Sequence, residues 1–168
     1  VERGPGEFRN WFDTTTWYPL GRVVGGTVYP GLMYTSAAVW WALQRLTLPV
    51  SVKTVCVLMG PAVAPLTTLV LGALAKEVAG GDVGVGLSTA WVFAIMPAYN
   101  QRSHAGLYDN EAVAIFAMVL TFYLFLGAAR RGSLAWGLAA AMAYFYMVST
   151  WGGYIFITNL LPLYMLVL

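Results

Sequence analysis

Long apolar runs without a charged side chain occupy most of the chain after residue 53. They cover residues 54–75, 83–101, 112–129 and 132–168. A helix that crosses a bilayer needs about 20 apolar residues, so each of the first three runs predicts one span. The last run is too long for one span, and Trp151-Gly-Gly153 divides it into two. Because the runs are continuous rather than alternating, they predict helices and not barrel strands.

The pattern therefore predicts an all-α fold, a polytopic transmembrane helical bundle with about five spans. We place the spans near residues 54–75, 83–99, 112–129, 133–150 and 154–168. Pro61 and Pro65 lie four residues apart in the first span and should kink it. The chain starts at Val1 rather than at Met and stops at Leu168 inside an apolar run. We therefore expect an internal fragment of a larger membrane protein.

Residues 1–53 differ from the remainder, because they carry five of the nine Lys and Arg residues together with many aromatic residues and glycines. The apolar stretch over residues 32–43 is only about a dozen residues long, which suits an interfacial or buried helix better than a span. We predict an external loop segment with short amphipathic helices. A sixth span over residues 32–43 remains the alternative.

Composition agrees with a membrane protein and excludes several other classes. The chain is 60% hydrophobic and 10% charged, with a mean hydropathy of +0.70, outside the range of ordinary soluble domains. The net charge of +2 is too small to indicate nucleic-acid binding. A single cysteine, Cys56, excludes a disulfide framework and indicates a buried thiol.

The charges in the turns predict the orientation of the spans. The turns at 76–82 and 130–132 must lie on one side, and the turns around Asp109 and Trp151 on the other. The first pair contains three basic residues and the second pair contains only Arg102. The excess of Lys and Arg in cytosolic loops therefore places the first pair in the cytosol and Asp109 on the outer or lumenal side.

Asp109-Asn110-Glu111 is the clearest candidate for chemistry, because two carboxylates stand where an apolar span begins. Acidic groups at a membrane edge cost free energy unless a cation, an arginine or water offsets the cost. A structural interpretation is available: Asp109 caps the following helix and Glu111 lies in its first turn. Alternatively, the two acids converge in the capping turn and supply hard oxygen ligands to a divalent cation.

Two neighbouring side chains extend this candidate site. Arg102 precedes Asp109 by seven residues; it can steer a carboxylate or clamp a phosphate, or simply extend to the membrane interface. His104 can titrate or bind a metal, although a lone loop histidine more often does neither.

Several strings, in the same order, resemble the catalytic subunit of eukaryotic oligosaccharyltransferase. The resemblance covers nearly the whole chain. The strings are Asn10-Trp-Phe-Asp13, Trp17-Tyr-Pro-Leu-Gly-Arg22, Gly25-Gly-Thr-Val-Tyr-Pro-Gly-Leu-Met33, Arg102-Ser103, Ala105-Gly106, Tyr108-Asp-Asn-Glu111, Tyr144-Phe-Tyr-Met-Val-Ser149 and Trp151-Gly-Gly-Tyr154.

The resemblance implies roles for individual residues. Asp109 would be a ligand of the catalytic Mn²⁺ or Mg²⁺, and Glu111 would be the second acid, supporting the metal or the acceptor site. Arg102 matches a family arginine near these acids. Trp151 and Tyr154 would border the lipid-linked donor, although an interfacial aromatic belt around a tight turn is the favoured explanation for both.

The resemblance also implies a reaction, partners and a location. The family transfers a preassembled oligosaccharide from dolichyl diphosphate to the Asn of Asn-x-Ser/Thr, with inversion at the anomeric carbon. This occurs at the lumenal face of the multi-pass protein in the endoplasmic reticulum membrane. Membrane lipids and other subunits of an oligosaccharyltransferase complex are the further expected partners, and nucleic acid is not. Because the family's other catalytic acids and its acceptor-binding motif are not in this chain, we expect the fragment alone to be inactive.

Two rival functions from other classes remain open at this point. Asp109 and Glu111 would also suit an ion-coupled transporter, in which carboxylates lie near the membrane midplane between broken helices. A non-catalytic membrane scaffold subunit would use the same two acids only to cap a helix.

Overall fold

The computed structural model describes residues 4–167, which are mostly helical (74%). The elements follow one another as α1 (Gly4–Arg9), β1 (Phe12–Asp13), β2 (Arg22–Val23), α2 (Gly31–Arg45), α3 (Val52–Val78), α4 (Val83–Ile95), α5 (Pro97–Ser103), α6 (Asn110–Arg131), α7 (Leu134–Thr150) and α8 (Tyr154–Val167).

The predicted helical class is confirmed, with one addition near the N-terminus. Strands β1 and β2 form a small antiparallel pair in which Phe12 faces Val23 and Asp13 faces Arg22. The all-α prediction missed this pair, because strands of two residues are too short to produce a readable alternation of apolar and polar positions.

Local capping explains where the apolar helices begin and end. The hydroxyl of Ser51 accepts the Thr54 N–H at 3.1 Å at the start of α3, and the carboxylate of Asp82 accepts the Gly84 N–H at 2.7 Å at the start of α4. Helix α6 ends at Arg131 and is followed by Gly132, whose φ of 59° is a left-handed conformation that glycine adopts without steric cost.

Among the residues that the structure describes, two helices, α3 and α6, are long and apolar enough to cross a membrane, while α4, α7 and α8 are shorter apolar helices. The segment predicted as one span over 83–99 is divided into α4 and α5. Met96 is extended, with ψ of 119°, because the ring of Pro97 disfavours the helical conformation of the preceding residue. The count of five spans stays a prediction.

Helix α3 lies at the centre of the packing, in contact with α4 and α6, and α6 in turn packs along α7. One buried cluster joins α2, α3 and α6 and contains Leu32, Val55, Met59, Val63 and Val113. A second cluster joins α6, α7 and α8 and contains Ala114, Ala117, Met147 and Ile157.

Small residues allow the backbones of α3 and α4 to approach closely. A Cβ atom added at Gly72 would lie 3.0 Å from the carbonyl oxygen of Gly86 and 3.1 Å from the Cβ of Ala90. Such close contacts are typical of helix pairs in lipid, where dispersion forces between backbones supply much of the association energy.

Two methionines on α7 provide a matched test of this packing. Met147 is 0% exposed in the second cluster, whereas Met142 on the same helix is 67% exposed. In the full-length protein, Met147→Ala should destabilise the fold by about 2–5 kcal/mol, because it leaves a cavity among buried side chains. Thermal unfolding in mild detergent should show a lowered midpoint for Met147→Ala and almost no change in the midpoint for Met142→Ala. Equal midpoints for the two variants would contradict this packing.

Candidate functional site

Asp109 stands at the N-cap of α6, as the sequence predicts. Its backbone is extended, with φ of −119° and ψ of 139°, and its Oδ1 accepts the N–H of Glu111 at 3.3 Å. The cap places Asp109 outside the helical spiral and Glu111 inside its first turn. The two carboxylates are therefore not held on opposite sides, as residues i and i+2 within a helix would be.

Arg102 at the end of α5 contacts both acids. Its Nη1 lies 3.4 Å from Asp109 Oδ2, and its Nε lies 3.1 Å from Glu111 Oε2. The structure thus brings together the three residues that the sequence singles out, around a single guanidinium. We call Arg102, Asp109 and Glu111 the carboxylate site.

The carboxylate site is open to solvent and contributes little to folding. The side chains of Arg102, Asp109 and Glu111 are 53%, 30% and 29% exposed. Ion pairs with this exposure contribute about 0–1 kcal/mol to stability. Two acids directed at one point and left accessible are suited to bind a cation or a cationic or amide group, rather than to hold the fold together.

The donor chemistry of the carboxylate site suits one side of a divalent-cation site. Within residues 4–167, no group of three or more His, Cys, Asp or Glu side chains is placed to hold a metal ion. Carboxylate oxygens are the ligands that Mg²⁺ and Mn²⁺ prefer, but two acids do not fill an octahedral shell. The donor set fits such a cation as one side of its coordination shell.

Tyr108 attaches the carboxylate site to α2, a contact that sequence reasoning did not find. Its hydroxyl donates to the Oγ of Ser36 at 2.8 Å, and Ser36 is 2% exposed. Burial raises the pKa of Tyr108 to about 12, partly offset by the hydrogen bond to Ser36. The hydroxyl therefore stays protonated at neutral pH and serves as the donor.

The loop before Asp109 also contacts α3. The N–H of Gly106 donates to the carbonyl oxygen of Val57 at 3.0 Å, and the backbone of Ser103 lies against Gly60. The sequence carries a signal for this contact that was not used: a proline inside a helix leaves one carbonyl without its usual donor.

The remaining predicted site residues lie elsewhere. Trp151 follows α7 and Tyr154 begins α8, and both pack against the second core cluster. Within residues 4–167, no hydrogen bond or ion pair joins either side chain to the carboxylate site. His104 lies in the α5–α6 loop, where its Nδ1 is 3.0 Å from the carbonyl oxygen of Gln101.

Another aspartate, Asp13, makes its hydrogen bonds within its own turn. Its carboxylate accepts the hydroxyl of Thr15 at 2.6 Å, the N–H of Thr15 at 2.9 Å and the hydroxyl of Thr16 at 2.6 Å. These hydrogen bonds, the Thr15 hydroxyl first, lower the pKa of Asp13 to about 2. Asp13 therefore differs from Asp109 and Glu111, which keep oxygens directed toward a shared partner.

Comparison with known proteins matches the whole chain to one family. The family model described as "Oligosaccharyl transferase STT3, N-terminal" covers residues 1–168. The chain belongs to the STT3 family. It is 59% identical over 168 residues to the STT3B subunit of dolichyl-diphosphooligosaccharide–protein glycosyltransferase from Arabidopsis thaliana. It is 49% identical over 164 residues to the STT3 subunit from Dictyostelium discoideum.

These STT3 relatives are much longer than the chain. The alignments include all of the chain and 23% of the Arabidopsis relative, and 98% of the chain and 23% of the Dictyostelium relative. The family match includes the residues of the carboxylate site, since it extends over every residue of the chain. The predicted family resemblance is confirmed.

Proposed function

We propose that this chain is part of a membrane glycosyltransferase that transfers a preassembled oligosaccharide from dolichyl diphosphate to the Asn of Asn-x-Ser/Thr. One observation carries the proposal: two carboxylates converge on one guanidinium at the start of α6, in a chain of the STT3 family. The relatives are named as subunits of a dolichyl-diphosphooligosaccharide–protein glycosyltransferase, which agrees with a glycan donor and a protein acceptor.

Asp109 and Glu111 would hold the divalent cation, Mn²⁺ or Mg²⁺, with Asp109 as the principal ligand. A bound cation supplies Lewis-acid stabilisation of the departing diphosphate. Arg102 orients both acids through two different nitrogens, Nη1 and Nε. Partial exposure of all three side chains leaves room for the remaining ligands, which are further acids of the protein, water or substrate oxygens.

Glu111 has a second role in this proposal, at the acceptor. An amide nitrogen is a poor nucleophile, and carboxylates that accept its N–H hydrogens hold it beside the anomeric carbon and favour attack. Within residues 4–167, Glu111 Oε1 accepts no hydrogen bond, so this oxygen is available to a substrate amide. Attack from the face opposite the diphosphate gives inversion at the anomeric carbon.

Contacts between distant turns agree with their proposed grouping at two ends of the bundle. Glu77 near the end of α3 pairs with Arg131 at the end of α6, with 3.1 Å between Glu77 Oε1 and Arg131 Nη2. Both belong to the turns that charge bias places in the cytosol. At the other ends of these helices, α2 contacts the α5–α6 loop through Ser36 and the end of α7 through Gly31. These contacts group the turns at two opposite ends, and the charge bias alone carries the proposal that the carboxylate site faces the lumen of the endoplasmic reticulum.

Membrane lipids and other subunits of an oligosaccharyltransferase complex are the proposed partners. About five apolar helices, α3, α4, α6, α7 and α8, form the proposed multi-pass bundle. Exposed apolar side chains such as Trp91, Leu138 and Phe145, which are 71%, 66% and 75% exposed, are suited to face acyl chains or neighbouring helices.

Metal removal tests this proposal directly. The purified full-length protein, with any subunits that co-purify, is given a dolichyl-diphosphate oligosaccharide and a peptide containing Asn-x-Thr. Chelation followed by dialysis should reduce transfer to background, and added Mn²⁺ or Mg²⁺ should restore it. A peptide with Gln in place of the acceptor Asn is the matched control. Undiminished transfer after chelation would contradict the metal role, and absent transfer under all conditions would contradict the proposed reaction.

A further inference from the structure

We propose that the proline turn of α3, formed by Val57, Gly60 and Pro61, is a positioning element that holds the α5–α6 loop and thereby sets the geometry of the carboxylate site. This inference rests on the proposed function and adds residues that act on Asp109 and Glu111 from a different helix. The proline turn contacts the loop at Ser103 and Gly106, which lie between Arg102 and Asp109 in the chain.

The first contact exists because Pro61 has no backbone N–H. In an α-helix the carbonyl of Val57 would accept the N–H of residue 61, and the proline ring also pushes that carbonyl aside. An unpaired carbonyl inside apolar surroundings is costly. The N–H of Gly106 takes the vacant position at 3.0 Å. The loop therefore supplies the hydrogen bond that the helix lacks.

The second contact requires the absence of a side chain at residue 60. A Cβ atom added at Gly60 would lie 2.7 Å from the carbonyl oxygen of Ser103 and 2.9 Å from its carbonyl carbon. These are backbone atoms and cannot move without moving the end of α5. Ser103 follows Arg102 directly. Gly60 therefore sets how closely the end of α5, and with it Arg102, approaches α3.

Tyr108 fixes the opposite side of the loop. Its hydroxyl reaches Ser36 on α2, and Asp109 is the next residue along the chain. The loop is thus held by α3 at Ser103 and Gly106 and by α2 at Tyr108. A loop held on both sides presents its acids with little loss of entropy on binding, which is the condition for an effective site.

Pro61→Ala in the full-length protein tests the first contact, with Pro65→Ala as its control. Alanine restores the helical N–H at residue 61, so Val57 no longer needs Gly106, while the helix itself gains propensity. Pro65 likewise leaves the carbonyl of Pro61 without its helical donor, but among the described residues no loop N–H donates to that carbonyl. We expect faster hydrogen–deuterium exchange in peptides covering 104–111 and about three- to tenfold lower transfer for Pro61→Ala, the effect of one hydrogen bond. Pro65→Ala should change neither.

Gly60→Ala tests the second contact, with Gly137→Ala as its control. Gly137 is also helical, and a Cβ atom added there meets no atom within 4 Å. We expect Gly60→Ala to lower kcat about 10- to 100-fold, as misplacement of a catalytic group does. The KM for the acceptor peptide and the amount of inserted protein should change little, because alanine favours the helix at both positions.

Asp109→Ala in the same assay separates failure of the inference from failure of the proposed function. If Asp109→Ala loses transfer while Pro61→Ala and Gly60→Ala match their controls in exchange and kcat, the positioning role is overturned and the proposed function stands. If Asp109→Ala transfers normally, the proposed function fails, and the positioning role fails with it. If Pro61→Ala is too unstable to purify, the comparison of Gly60→Ala with Gly137→Ala decides between the same outcomes.

Discussion

Replacing Asp109 with alanine in the full-length protein should abolish glycan transfer while leaving the protein inserted in the membrane. The loss should exceed about 100-fold, since that is the upper range for removing a group that merely orients a metal ligand. Occupancy of Asn-x-Ser/Thr sites in cells that depend on the variant gives the measurement. Normal occupancy at normal protein levels would contradict the role of Asp109.

Two controls distinguish ligation from helix capping in this experiment. Asp109→Asn keeps a good N-cap but removes the charge, because asparagine caps a helix about as well as aspartate. It should lose transfer almost as completely as Asp109→Ala. Asp82→Ala removes an equivalent N-cap, which accepts the N–H groups of Gly84 and Val85 at the predicted cytosolic end. That loss should cost about 1 kcal/mol of stability and leave transfer near normal.

Replacing Arg102 with alanine should have the second largest effect. Without the guanidinium, the two acids lose the contact that orients both of them for the proposed cation. We expect transfer to fall about 10- to 100-fold, the range for loss of a group that orients a metal ligand. Stability should change by less than about 1 kcal/mol, because the ion pairs are exposed. Parallel transfer and thermal-unfolding assays measure the two effects on one preparation.

Arg102→Lys and Arg45→Ala complete the test of the guanidinium. Arg102 uses two nitrogens for its two acids, so the single ammonium of lysine cannot reproduce both contacts. The transfer activity of Arg102→Lys should lie between those of the wild type and Arg102→Ala. The guanidinium carbon of Arg45 lies 4.2 Å from the centroid of the Trp41 ring, and within residues 4–167 Arg45 forms no ion pair with a carboxylate, so Arg45→Ala should transfer normally. Equal activity of all three variants would contradict the role of Arg102.

Helix limits and the cap at Asp109 followed from local signals. The apolar run after Asn110 and the acid before it predict the start of α6, and the left-handed Gly132 marks its end. Trp151-Gly-Gly153 correctly predicted the break between α7 and α8. These features depend on residues within one turn of each other, so one sequence is enough to read them.

Contacts between elements were harder to predict. The bond from Tyr108 to Ser36 joins residues 72 positions apart, and no periodicity encodes such a pair. The sequence predicts a kink at Pro61 and Pro65, which stays a prediction. It does not predict that the carbonyl of Val57, which Pro61 leaves without a helical donor, accepts the N–H of Gly106 in the loop. The predicted span over 83–99 missed the break at Met96, because it followed the length of the apolar run and not the effect of Pro97 on the residue before it.

Capping and the proposed ligation need not exclude each other at Asp109, as the sequence already indicates. The cap uses Oδ1, and Oδ2 faces the guanidinium of Arg102. The rigid start of α6 therefore holds the carboxylate in a fixed direction, and an acid fixed in this way is a better ligand than one on a free loop. The cap therefore occupies one oxygen of the side chain and leaves the other, beside Arg102, for the proposed ligation.

Direct binding of Mn²⁺ tests the central claim that Asp109 and Glu111 form one side of a metal site. Electron paramagnetic resonance of the purified full-length protein, titrated with Mn²⁺, separates bound from free ion. We predict a saturable bound population in the wild type and in Asp82→Ala, and its loss in Asp109→Ala. Equal Mn²⁺ binding by Asp109→Ala and the wild type would contradict the account.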